Sequence, residues 1–291
     1  MIHIIKEIII FFLQKIYLVI ECSYIVLRGG YLSFKSVVKG KRASFWEKIN
    51  ADVLICGNGP SLAEIDLEKV HNDGVEIAVV NYFPKYSEVF FDIKPHYLFL
   101  VDPVLFEKYN EKNKVLYEVL ERVNWPLSVI SLQGSQLNIE NSYICSEYIS
   151  CFSLSTELMT GFCDYLYEHN LVNHGAQDVI NVALFYFLNK TKGNIYLAGM
   201  DMNLFKNFII DIHNDVYLDN IHDYGMKRIA VHYDGVKKGE FFKILGFYQK
   251  IFYQYHIISE YAKRRKRTIR NLSMNSCLDM FEKINLTSWK K

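Results

Sequence analysis

The sequence predicts an α/β fold built on a mainly parallel sheet, and three observations carry that prediction. Short apolar runs of strand length recur at residues 52–56, 75–81, 97–101, 127–132 and 195–198. Stretches with helical apolar spacing lie between several of them, as repeated strand–helix–strand units require. Turn formers crowd the carboxyl ends of the first and last runs, in Gly57-Asn-Gly-Pro-Ser61 and Gly199-Met-Asp201.

Composition sets the frame for these elements. With 291 residues, 51% hydrophobic and 22% charged, the chain has enough apolar side chains for a buried core and too little charge for a disordered polymer. A formal net charge of +1 creates no global field for polyanions, so nucleic acid is not an expected partner. The six cysteines, Cys22, Cys56, Cys145, Cys151, Cys163 and Cys277, contain no C-x-x-C pair. They read as reduced thiols of a cytoplasmic protein, with no metal-ligand spacing among them.

Residues 2–20 are strongly apolar but include Lys6, Glu7 and Lys15, which argues against a membrane-spanning helix. No small-residue cleavage site follows the apolar stretch, so it does not read as a secretory signal. Two readings stay open. One is a helix on the inner face of the cytoplasmic membrane, beside the basic residues Lys35, Lys39, Lys41 and Arg42. The other is a helix packed on the main domain or on a second subunit of a homo-oligomer. Residues 1–50 are accordingly set apart as a helical extension, and residues 51–291 form the main domain.

The main domain opens with a strand at 52–56, the Gly57–Ser61 turn and an apolar helical pattern over 62–70. Two glycines let backbone approach a ligand, and Ser61 is placed to cap the following helix, with Glu64 at capping-box spacing. The amino end of such a helix attracts phosphate. An ordinary strand-to-helix turn has the same residues, so the surrounding fold must decide. Asn81 and Asp102 stand at the ends of the next two strands, where a parallel sheet gathers its ligand-binding groups. Residues 103–122 read as a helix, 127–132 as a strand, and Asn173-His174-Gly175 as the start of a helix over 177–188 that offers a second phosphate position. Residues 239–264 read as a long helix, and its basic end, Lys263 to Arg267 with Arg270, as a solvated helix terminus or an anion contact.

The stretches Ile55-Cys-Gly-Asn-Gly-Pro-Ser-Leu-Ala-Glu-Ile-Asp66 and Gly193-Asn-Ile-Tyr-Leu-Ala-Gly-Met-Asp201, with the strand ends at Asn81 and Asp102-Pro103 and the segment 271–277, resemble the bacterial sialyltransferases of glycosyltransferase family 42. The group sharing that fold includes flagellin-modifying motility-associated factors and archaeal-type 6-hydroxymethylpterin diphosphokinases. The resemblance covers roughly residues 51–280 in organisation and is sharp only in the first two stretches. It implies a Rossmann-like, doubly wound sheet of glycosyltransferase-A-like type with a lid at about 203–238. It also implies an inverting, metal-independent transfer of a sialic-acid-like sugar from a CMP donor to a surface or lipid-linked glycan, with no cofactor. By the same resemblance Gly57, Asn58, Gly59, Ser61 and Asn81 bind the donor; Asn173, His174 and Gly175, at a helix amino end, and Gly199 and Asp201, in a glycine turn after a strand, are the donor-binding candidates read from the residues themselves. His232 and Tyr233, in His232-Tyr-Asp-Gly235, and Asp102 are the catalytic candidates, with His232 as the base.

The chain departs from the family pattern at three places. Asp102 replaces an asparagine, Asn173-His174-Gly175 replaces Thr-Ser-Gly, and Asn203 stands where the first of two phosphate-assisting tyrosines is expected. These departures keep a Mg²⁺-dependent pyrophosphate transferase, with Asp102 and Asp201 as metal carboxylates, as an alternative. A nucleotide-binding protein without catalysis is the third. The residues His213, Asp215, Asp219, His222 and Asp223 fit no ordered metal motif and read as part of the lid.

Overall fold

Eight strands joined by parallel pairings form the central sheet, in the order β11-β10-β6-β1-β2-β3-β4-β5. The strands are β1 (Val53–Cys56), β2 (Glu76–Val80), β3 (Tyr97–Leu100), β4 (Leu127–Leu132), β5 (Ile144–Ile149), β6 (Ile195–Ala198), β10 (Ile269–Asn271) and β11 (Glu282–Lys283). In this computed structural model the described residues are 48–132, 134–135, 137–151, 160–175, 178–213, 215–218, 229–230 and 237–285. Helical positions 6, 9, 10, 12, 13, 16, 17, 19, 20, 23, 24 and 27 are described with them.

The chain winds outward from β1 to β5 along one side, then crosses back to lay β6 on the other flank of β1. The direction of winding therefore reverses between β1 and β6. Both faces of the sheet are covered, which is why its strands are continuous apolar runs. Val53 and Ile55 of β1 point into one core and Leu54 and Cys56 into the other. The second core is closed by α1 (Leu67–Asn72), α2 (Ser87–Ile93) and α3 (Lys114–Glu121). The first is closed by α4 (Thr160–Glu168), α5 (Val179–Lys190) and α6 (Phe241–Arg264).

Several expected boundaries move, each for a local reason. The helix read over 62–70 is a 3-10 turn, Pro60–Glu64, followed by α1, whose cap is Asp66: its carboxylate accepts the Lys69 N–H at 2.9 Å. Residues 103–122 divide into two 3-10 turns and α3, because Asp102 and Asn110 each bond a backbone N–H two residues on and restart the chain. The helix expected from 177 begins at Val179, since Asp178 accepts the Ile180 N–H at 2.9 Å.

The basic run at the end of α6 is a structural tie. Arg264 makes a bidentate pair with Asp164 of α4 at 2.7 and 2.8 Å, Arg265 pairs with Glu168, and Arg267 donates to the Thr191 and Gly193 carbonyls. Three short strands, β7 (Phe208–Ile210), β8 (Val216–Leu218) and β9 (Ile229–Ala230), make an antiparallel ribbon. Cys56, Cys145 and Cys277 are free thiols. No helix among the described residues is long and apolar enough to cross a membrane.

Candidate functional site

A cavity of about 260 Å³ opens at the carboxyl ends of β1, β2 and β6. It lies at the point where the winding reverses, the usual ligand position in open parallel sheets. Three segments that the sequence singled out meet there: Gly57–Pro60 after β1, Asn81 after β2 and Gly199–Asn203 after β6. Asp178, Val179 and Ile180 from the amino end of α5 and Tyr248 of α6 complete the wall.

The glycines of this site are fixed first by each other. A Cβ on Gly57 would lie 2.6 Å from the Gly199 carbonyl, and one on Gly59 would lie 2.5 Å from the same oxygen and against the Asp201 carboxylate. Gly199 itself has a φ of 64°, a left-handed conformation that glycine adopts without strain. The two strand ends are thus laced together, with the Gly57 N–H donating to Ala198 at 2.8 Å and the Gly59 N–H to Gly199 at 2.9 Å. Ser61 does not cap a helix. Its hydroxyl donates to the Ser273 hydroxyl at 2.7 Å, and its N–H donates to Asp201 Oδ2 at 3.2 Å. Three amides of the expected phosphate cradle are therefore already engaged within the fold, one of them by a carboxylate.

Ser273 also accepts the Met200 N–H at 2.9 Å, and the Cys277 N–H donates to the Asp201 carbonyl at 2.9 Å. The segment after β10 thus braces the site from behind.

The polar groups that face the cavity lie on its other wall. Asn81 is held in a left-handed conformation, with φ 47°, by its N–H bond to the Phe99 carbonyl at 2.8 Å. Its Oδ1 is buried with no hydrogen-bond partner among the described residues. Met202, also on the wall, has a φ of 46°. Strained backbone at two positions around one cavity marks it as a site the surrounding fold over-determines.

Asp178 was not singled out in the sequence. Its Oδ2 accepts the Tyr255 hydroxyl at 2.7 Å while its Oδ1 caps α5. Burial raises its pKa, and the bonds from Tyr255 and the Ile180 N–H offset part of that rise. Asp178 and Asp201 line the cavity, and no Lys, Arg or His is among its described lining residues.

The remaining expected positions fall elsewhere. Asp102 is exposed and caps the turn Pro103–Phe106, outside the cavity lining. Asn173 is buried, ties to the Ser150 carbonyl at 2.7 Å and accepts the Gly175 N–H at 2.6 Å; it holds a loop and does not cap α5. His174 is buried against the Phe185 ring, and burial lowers its pKa to about 3, an effect Asn181 offsets only in part. Gly175 has a φ of 118° and packs against the Gln254 side chain. His232 and Tyr233 lie outside the described residues, as do Asp219, His222 and Asp223. No cluster of three metal-ligand side chains is present among the described residues.

Asp178 and Tyr255 are 77 positions apart in sequence, so no local pattern joins them. The one signal available was an aspartate directly before the apolar run 179–188, a helix-cap signature that Asn173 obscured. No protein-family model, no curated protein and no solved structure matches the chain.

Proposed function

We propose that the protein is a glycosyltransferase that binds a CMP-activated, sialic-acid-like sugar in the cavity at the β1/β6 reversal. The sugar passes with inversion and without a metal to a glycan acceptor carried at the inner face of the cytoplasmic membrane. The observation that carries the reading is the meeting, at this reversal, of the Gly57–Ser61 turn, Asn81 and the Gly199–Asp201 turn, the same segments on which the sialyltransferase resemblance rests. The mainly parallel sheet with helices on both faces supports it in kind, and the finer Rossmann-like, glycosyltransferase-A-like arrangement is part of the proposal.

The chemistry assigns roles to the wall. The acceptor hydroxyl must lose its proton to a base within hydrogen-bond reach. His232 is the candidate on the lid; on the cavity wall Asp178 joins it, with Tyr255 as the positioning residue that holds its carboxylate. The departing phosphate meets neutral side chains, Asn58, Asn81, Asn203 and Tyr248, which stabilise charge by donated hydrogen bonds.

One observation favours a second reading. Asp178 and Asp201 on a wall without a described cation would repel a bare phosphate, whereas a Mg²⁺ carried by a nucleoside triphosphate suits them. That is the pyrophosphate-transferase alternative, with Asp178 in the place that the sequence offered to Asp102.

Thermal-shift titration of the full chain with CMP and with ATP, each with and without Mg²⁺, separates them. CMP at a hundredfold excess over its Kd is expected to stabilise the protein by about 2.7 kcal/mol without magnesium, and Asn81→Ala to abolish that shift. Stabilisation by ATP with Mg²⁺ alone would sink the transferase reading.

A further inference from the structure

We propose that the amino-terminal helix is a docking face for an anionic lipid surface, lying in the plane of the interface. Every described position between residues 6 and 27 is exposed. Ile9, Leu13, Ile16, Val19, Ile20 and Leu27 each leave between 52% and 76% of their surface in solvent. Positions 9, 13, 16, 20 and 27 follow the three-and-four spacing of one helix stripe, and Lys6 is the one charged residue among the twelve described positions. A stripe of this kind buries itself in the boundary between headgroups and acyl chains.

Charge selects the occupant. Residues 1–50 hold eight Lys and Arg against three Asp and Glu, while the other 241 residues hold 25 against 29. A second copy docking through this segment brings positive charge onto positive charge; an anionic bilayer brings the opposite sign. The Arg264–Arg267 run plays no part, because its guanidinium groups are tied to Asp164, Glu168 and backbone carbonyls.

The docking face rests on this helix and on no assumption about the cavity, although it deepens the membrane-side reading of the transferase. Flotation of the full chain with vesicles of phosphatidylcholine containing 30% phosphatidylglycerol, at about 0.1 M salt, tests it. Recovery with these vesicles is expected to exceed that with pure phosphatidylcholine at least tenfold and to fall at high salt. The combined variant Leu13→Ser, Ile16→Ser, Ile20→Ser is expected to lose binding at least tenfold with an unchanged Tm, which separates docking from folding. Failure to float overturns the proposal, whether light scattering then finds a monomer or a dimer that the variant dissociates. Vesicle binding without any CMP shift leaves the docking face standing and removes the transferase; a CMP shift without vesicle binding does the reverse.

Discussion

Two helices of similar apolar character meet opposite fates in this molecule. α5 is buried over its whole length from Ile180 to Lys190, while the described stripe of the amino-terminal helix is exposed at every position. The difference is set by what surrounds them. α5 lies against β1, β2, β3 and β6 on one side and under α6 on the other, so apolar residues all round it find partners. The amino-terminal helix shows an apolar stripe without such cover among the described residues. Apolarity therefore records a demand for a partner and does not say where that partner comes from.

Charge at the end of α5 gives the largest test of this contrast. Lys190 is buried with its ammonium 3.3 Å from Glu147 of β5, whose carboxylate also accepts the Tyr186 hydroxyl at 2.8 Å. Lys190→Met leaves a buried carboxylate without its cation and is expected to cost about 3–5 kcal/mol in chemical denaturation. Lys190→Met with Glu147→Leu is expected to recover most of that loss. If the single variant is neutral, α5 is not a dry, closed helix.

Packing gives the next. Leu184 is fully buried in the middle of α5, and Leu184→Ala is expected to cost about 2–5 kcal/mol. The spread depends on how far the core around it relaxes.

His174 sharpens the comparison through pH. Its imidazole stacks on Phe185 of α5, and burial lowers its pKa from the ordinary value near 6.5 to about 3. Between those values the unfolded chain binds a proton that the folded chain does not, so stability falls as pH drops through that window, by a few kcal/mol on the order of its full extent. His174→Phe is expected to keep stability near the wild-type value at pH 7, since a phenyl ring can take the place of the imidazole against Phe185. The same variant flattens the acid side of a Tm-against-pH curve. An unchanged acid limb would place the titrating group elsewhere.

The central strands were legible because a strand buried on both faces is apolar at every position, as Leu54-Ile-Cys56 and Ile77-Ala-Val-Val80 are. β5 was not, since Cys145-Ser-Glu147 breaks its run and Glu147 is tolerated only through Lys190 and Tyr186. The site was legible as three turns that converge. Its glycines were read as making room for a ligand, while their closest neighbours are each other and Asp201. Asp178 was missed because its partner Tyr255 comes from α6, and only the packed fold brings the two together.

The smallest expected effect lies on the exposed helix. Ile16 leaves 56% of its surface in solvent, so Ile16→Ser without lipid is expected to change stability by no more than about 0.5 kcal/mol, the range of surface substitutions. Set beside Leu184→Ala, the pair asks whether the two helices differ in burial or only in composition. A destabilisation by Ile16→Ser of the size expected for α5 would mean that the stripe is covered by protein in solution, and the vesicle experiment would then fail as well. Near-neutrality means that no protein surface covers Ile16 in solution, and vesicle binding then decides whether lipid does.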